Sequence, residues 1–336
     1  CGLLTLLYFH HRHKKTNADK IRKQIHEWKI SVYEIVLKIV KLALPVSLAN
    51  IMLPVVSSLD MLIVPKRLEA AGFTIEQSTT LFGYLTGMGL PLIMMATIPT
   101  ASLAASIVPA ISESYTRKDN NNVNNKVAVA IRLCCIITIP ASVGLAVLAT
   151  PISKMLYGTP NAGACIALLS SCIFFLGLHQ VTTGILQGFG RTVVPVINML
   201  VSAALKVWLA WILTANPAYG ILGAALATVA DFALAVALNV FFLKRGTDIT
   251  FPLTDIARIV FSSLVMGIVA YAAHAKLLTL SDSNSLATLG GICLAGILYL
   301  LMLGVTGSNK KSELEKIPVI GGKLAVVLGK IKLVRG

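Results

Sequence analysis

Between residues 35 and 306 the chain is a succession of continuous apolar runs, at about 35–65, 79–113, 127–149, 163–188, 193–214, 219–243, 256–278 and 285–306. Each matches or exceeds the roughly 20 residues that an α-helix needs to cross a hydrocarbon core. Inside a bilayer no water satisfies backbone N–H and C=O groups, so only helices or a closed β-barrel can span it. A barrel would alternate apolar and polar residues in segments of about ten. These runs do not alternate and are rich in Leu, Ala and Ile. Charged residues are only 13% of the chain against 56% hydrophobic, where a soluble domain carries about twice that charge. The sequence therefore reads as an all-α polytopic membrane protein with eight complete crossings.

The run 79–113 is too long for one straight crossing: it would extend roughly 50 Å against a ~30 Å core. Pro91, Pro99 and Pro109, with Gly87 and Gly89, predict a kinked helix there. The stretches 66–78, 114–126 and 150–162 read as loops. Charge supports this division. The alternate connectors 10–34, 114–126, 189–192, 244–255 and 309–336 hold 20 Lys and Arg, while 66–78, 150–162, 215–218 and 279–284 hold three. The positive-inside rule puts the first set, and with it the C-terminus, in the cytoplasm. The net charge of +15 lies largely in these connectors, which points to topology rather than to a nucleic-acid partner.

Residues 1–9 are apolar and run into a basic segment, the reverse of a signal peptide. They read as the end of a truncated transmembrane helix, so the sequence is expected to be a C-terminal piece of a longer protein. Residues 10–34 read as a basic cytoplasmic loop. In the tail, 309–336, Ser312 and Glu315 have capping-box spacing. The apolar, basic segment Lys323–Val334 is expected to lie along the inner membrane surface or against the cytoplasmic helix ends.

No nucleophile, base and orienting group can be assembled, and Gly188-Phe189-Gly190 lacks the rest of a dinucleotide fingerprint. The chain does not read as an enzyme, and no cofactor is implied. Cys134, Cys135, Cys165, Cys172 and Cys293 lack metal or disulfide spacing and read as small core residues.

The informative residues are the ionisable ones inside the runs, because an unpaired charge there costs about 2.5–3.5 kcal/mol or more. Asp60, Lys206 and Asp231 stand out. An ammonium with one or two carboxylates makes either a substrate or ion pathway or a fixed pair pinning helices together. Asn198 and Ser202, four residues apart, share the helix face next to Lys206. Gln180 adds a polar group to the preceding helix; with Asn198 and Ser202 it is expected either to line the substrate or ion pathway or to make interhelical hydrogen bonds. Arg191 and Arg67, at helix ends, read as topogenic or lipid head-group cations.

Four stretches carry a resemblance: Leu186–Arg191 with Pro195 and Lys206; Ser58–Asp60 through Val64–Leu68; Pro109–Ser114; and Glu313–Gly321 with its basic end. Together they resemble the polysaccharide-exporter branch of the MOP flippase superfamily, as in stage V sporulation protein B and MurJ-like lipid II flippases. The resemblance implies two six-helix bundles. Residues 35–244 would be the second bundle, 245–308 two additional C-terminal transmembrane helices, and 1–9 the end of helix 6. It implies a flippase in the bacterial cytoplasmic membrane, moving an undecaprenyl-diphosphate-linked saccharide of the lipid II type by alternating access. The partners it implies are that polyprenyl-diphosphate-linked saccharide, membrane lipid, and a coupling cation or the membrane potential. A family arginine on helix 8 has no counterpart, since 79–113 holds no Arg or Lys. Some members bind sodium between helices 7, 11 and 12, and here Lys206 would take the place of that cation, pairing with Asp60 or Asp231. The competing readings are a cation-coupled multidrug exporter of the same superfamily and a non-transporting scaffold for envelope assembly.

Overall fold

A computed structural model describes residues 31–246 and 252–305. The expectations for the helix remnant at 1–9, for most of the basic loop at 10–34 and for the tail at 309–336 lie outside these residues. The chain divides into two units, 1–47 and 48–336. The described part of the first is the opening of helix α1, Val32–Ala70. Every other described element belongs to the second.

After α1 come α2 (Ile75–Gly83), a π-helical turn (Tyr84–Gly89), α3 (Leu90–Ala96) and α4 (Ile98–Thr116). They are followed by α5 (Asn120–Val147), α6 (Ala149–Tyr157), α7 (Gly163–Leu169) and α8 (Ser171–Gly188). The last four are α9 (Val193–Leu213), α10 (Ile221–Gly246), α11 (Leu253–Ser281) and α12 (Asn284–Val305). No strand occurs among the described residues. Seven stretches are long and apolar enough to cross a membrane: Ile75–Ala96, Asn120–Val147, Gly163–Gly188, Val193–Leu213, Ile221–Arg245, Leu253–Ser281 and Asn284–Gly304. The protein is a multi-pass, all-helical membrane protein.

The long proline-bearing run is broken twice. The π turn ends just before Pro91, whose ring cannot donate the helical hydrogen bond to Gly87. Thr97 ends α3, and Pro99 sits in the first turn of α4. At Gly89 a Cβ would lie 2.6 Å from the Leu169 side chain, so the bend lets the backbone approach α7.

Three connectors are shorter than their polarity predicts. Helix α1 continues to Ala70, and Thr74 and Gln77 form a reciprocal capping box that starts α2, so the loop expected at 66–78 shrinks to a tight turn. The asparagine-rich stretch from Asn120 is helical rather than loop, because the Asp119 carboxylate accepts the Asn122 N–H and caps α5. Residues 150–162 contain most of α6. The starting signals of α2 and α5 are one or two polar residues long and do not register in a hydropathy window, while α6 starts after Leu148 with no side-chain cap.

The core of the second unit sits where α4, α5, α8 and α10 meet, around Ile111, Val127, Ile131, Cys134, Ile185 and Leu243. Small residues allow the close packing of α4 on α8: a Cβ at Gly184 would fall 2.7 Å from the Ala104 carbonyl oxygen. A second cluster joins Val64 and Leu68 of α1 to Leu85, Leu169, Ile173 and Ile221. The α11–α12 hairpin docks on α5 through Met266, Ala270, Tyr299 and Leu303. Pro140 leaves the Ile136 carbonyl without its helical N–H, and the Tyr299 hydroxyl donates to that oxygen at 2.8 Å. Cys134, Cys135, Cys165 and Cys172 are buried free thiols, but Cys293 is exposed and is no core residue. It lies on α12 beside Ile292 and Leu294, which are also exposed.

Candidate transport site

Helix α9 carries Asn198, Ser202 and Lys206 at four-residue steps, and all three are buried. Antiparallel to it, α10 carries Asp231 and Asn239, eight residues apart and both buried. A spacing of eight residues is about 12 Å along a helix. The two helices therefore share two polar tiers separated by roughly that distance.

In the charged tier, Lys206 Nζ lies 2.7 Å from Asp60 Oδ2 of α1, and both residues are 6% exposed. Asp231, 9% exposed, stands within electrostatic reach of Lys206 and Asp60 and faces Ser202. Asp60 is thus turned inward as the partner of the ammonium. The Ser202 hydroxyl also donates to the Met199 carbonyl at 3.1 Å.

In the neutral tier, Asn198 Nδ2 donates to Asn239 Oδ1 at 2.8 Å. Asn239 Nδ2 donates in turn to Thr182 Oγ1 at 3.2 Å and Thr183 Oγ1 at 3.1 Å on α8. Gln180 belongs to another contact: its Oε1 accepts the Thr100 hydroxyl at 2.7 Å, linking α8 to α4.

The two terminal arginines are engaged by the protein. Arg67 Nε donates to the Trp211 carbonyl at 2.9 Å, and its guanidinium lies 4.3 Å from the centre of the Trp211 ring. Both polar links, Asp60–Lys206 and Arg67–Trp211, tie α1 to α9. Arg191 makes a long hydrogen bond, 3.4 Å, to the Phe242 carbonyl in the last turns of α10, where the helix dipole favours a cation.

A buried ion pair and hydrogen-bonded amides thus link the helices of this bundle, and comparison with known proteins identifies its family. The family model "Lipid II flippase MurJ" matches residues 14–289. The chain belongs to the MurJ family. Stage V sporulation protein B of Bacillus subtilis (strain 168) is 25% identical over 319 residues, which are 95% of this chain and 61% of that relative. The structure "Lipid II flippase MurJ, inward closed conformation" superposes with a TM-score of 0.61 at 20% identity, covering 85% of this chain and 58% of that one. An outward-facing multidrug resistance MATE family transporter of the MOP superfamily superposes with a TM-score of 0.53 at 18% identity, over 87% of this chain and 70% of that one. The fold is that of MurJ- and MATE-type transporters, and the chain spans about three fifths of the length of its MurJ-type relatives. The MurJ family is one of flippases, not a class of catalysts.

Two groups of this MurJ-family chain escape a reading by composition. Asn239 joins three helices, yet in sequence it is one amide in an apolar run; its spacing of eight from Asp231 was the available signal. Arg132, 7% exposed in the middle of α5, lies 3.6 Å from Asp255 of α11, which also pairs with Arg258 at 3.7 Å. A lone arginine within the run 127–149 was that signal.

Proposed function

We propose that the chain is part of a flippase that moves a polyprenyl-diphosphate-linked saccharide, of the lipid II type, across the bacterial cytoplasmic membrane. What supports this is the match of residues 14–289 to the lipid II flippase family. Residues 35–244 form the second six-helix bundle and 245–308 two further transmembrane helices, and the C-terminus is cytoplasmic, as the distribution of 20 against three connector cations implies. The transporter works by alternating access. Asp60 and Lys206 belong to its ion pathway, with Asp231, Asn198 and Ser202 beside them. The Lys206 ammonium occupies the position of a coupling cation, so transport needs no sodium.

The test is expression of the protein at its full natural length in a strain depleted of its own lipid II flippase. Rescue of growth, with transport of a fluorescent lipid II in sodium-free proteoliposomes, is the expected result. A protein that inserts into the membrane but neither rescues growth nor moves the lipid overturns the proposal. Clear stimulation by sodium overturns the role given to Lys206.

A further inference from the structure

At the end of the bundle away from the basic connectors, a crevice of 660 Å³ opens between the α1–α2 turn, α2 and the segment before α7. Its lining includes Phe73, Glu76, Gln77, Thr80, Tyr84 and Asn161. The size falls in the range of roughly 300–1,000 Å³ typical of small-molecule clefts.

The walls are held in place. Gly220 has φ +47°, and a Cβ there would be 3.2 Å from the Phe73 ring, so the ring rests on bare backbone. Tyr84 begins the π turn and packs against Ala149, Ala162 and Ile166. Gln77 is fixed by the capping box, where its Oε1 accepts the Thr74 N–H at 3.0 Å, and among the described residues its amide NH₂ has no protein partner. Among the described residues, no protein hydrogen bond or ion pair engages the side chains of Glu76, Thr80 and Asn161 or the Tyr84 hydroxyl.

The chemistry of the lining selects a ligand class. Among the described residues no Lys or Arg lines the crevice, and Glu76 repels anions, so a diphosphate does not fit. An apolar tail does not fit either, since it would strip water from a carboxylate, two amides and two hydroxyls without replacing its hydrogen bonds. Hydroxyl groups both donate and accept, and the crevice offers an acceptor-only carboxylate beside groups that donate. Phe73 and Tyr84 add two aromatic side chains for the apolar face of a sugar ring. The lining comes from 72–84 and Asn161, on the cation-poor side of the bundle, which the positive-inside rule makes extracytoplasmic.

We infer that this crevice binds the saccharide head group of the lipid-linked substrate on the exit side of the transporter. The inference rests on the flippase reading above and adds the place where the sugar is held. It is tested with the full-length protein in proteoliposomes, measuring transport of a polyprenyl-diphosphate-linked N-acetylated disaccharide against polyprenyl diphosphate without sugar. Thr80→Trp and Asn161→Trp, which fill the crevice, are expected to lower the ratio of the two rates at least tenfold. Thr80→Ser, which keeps the hydroxyl, is expected to preserve it. An unchanged ratio in correctly folded Trp variants overturns the inference. If the wild type moves neither lipid, the flippase reading fails, and the crevice is judged by binding of the soluble disaccharide to protein in nanodiscs. Saturable binding abolished by Thr80→Trp supports the site, and absence of binding overturns it.

Discussion

The two polar tiers on α9 and α10 solve the same problem differently. In the neutral tier Asn198, Asn239, Thr182 and Thr183 satisfy one another among α8, α9 and α10. An amide is both donor and acceptor, so such a network closes with neutral groups and a modest desolvation cost. In the charged tier, Lys206 depends on Asp60 of α1, 146 positions away in sequence. If α1 leaves its seat, an ammonium and a carboxylate are both exposed to an apolar medium. One tier therefore fixes the bundle, while the other makes the bundle's electrostatics depend on where α1 stands. In the flippase reading proposed above, helix movement would use the second kind of contact, with the first as scaffold.

That contrast can be broken most directly at Lys206. Lys206→Met leaves Asp60 buried beside Asp231 without a counter-ion, and is expected to cost about 3–5 kcal/mol and to abolish transport. Melting of the full-length protein in detergent, with transport in proteoliposomes, measures both. The double change Lys206→Met with Asp60→Leu is expected to regain most of the stability without regaining transport. Restored transport in the double variant would make the pair structural.

Next in size is Asn239→Leu, which strips Asn198 of its acceptor and is expected to cost about 1–3 kcal/mol. Transport per folded molecule should persist, and a loss comparable to that of Lys206→Met would erase the distinction between the tiers. Gln180→Leu should cost less, about 0.5–1.5 kcal/mol, because the Thr100 hydroxyl still has the Thr97 carbonyl at 2.7 Å. The smallest effect is expected for Arg67→Gln. It removes a cation–π contact worth about 0.5–1 kcal/mol at an accessible site together with the Arg67 Nε hydrogen bond to the Trp211 carbonyl, an exposed bond that water replaces, and a small shift in melting temperature reads it. A large loss of transport there would show that the outer end of the α1–α9 contact carries function as well as the inner one.

Much of the fold was legible in the order of residues because bilayer crossing is a local demand. A run such as 219–243 must satisfy its own backbone and cover its own length, so hydropathy alone places α10. The polar face of α9 was equally readable, since Asn198, Ser202 and Lys206 follow the helical repeat. Helix starts at Thr74 and Asp119 were not, because they depend on single side chains reaching back to a backbone N–H.

The order of residues sets the membrane class, the distribution of cations between the two sets of connectors, and which side chains must find partners inside the bundle. Which partner each one found is a property of the tertiary structure. Composition made Asp60 and Asp231 equivalent candidates for Lys206, and only the packing of α1 on α9 brought the Asp60 oxygen to 2.7 Å. The same packing set Arg67 over Trp211. The physical reason is range: hydropathy and helical periodicity act over a few residues, whereas a charge is neutralised by whatever distant segment the fold brings within hydrogen-bonding distance.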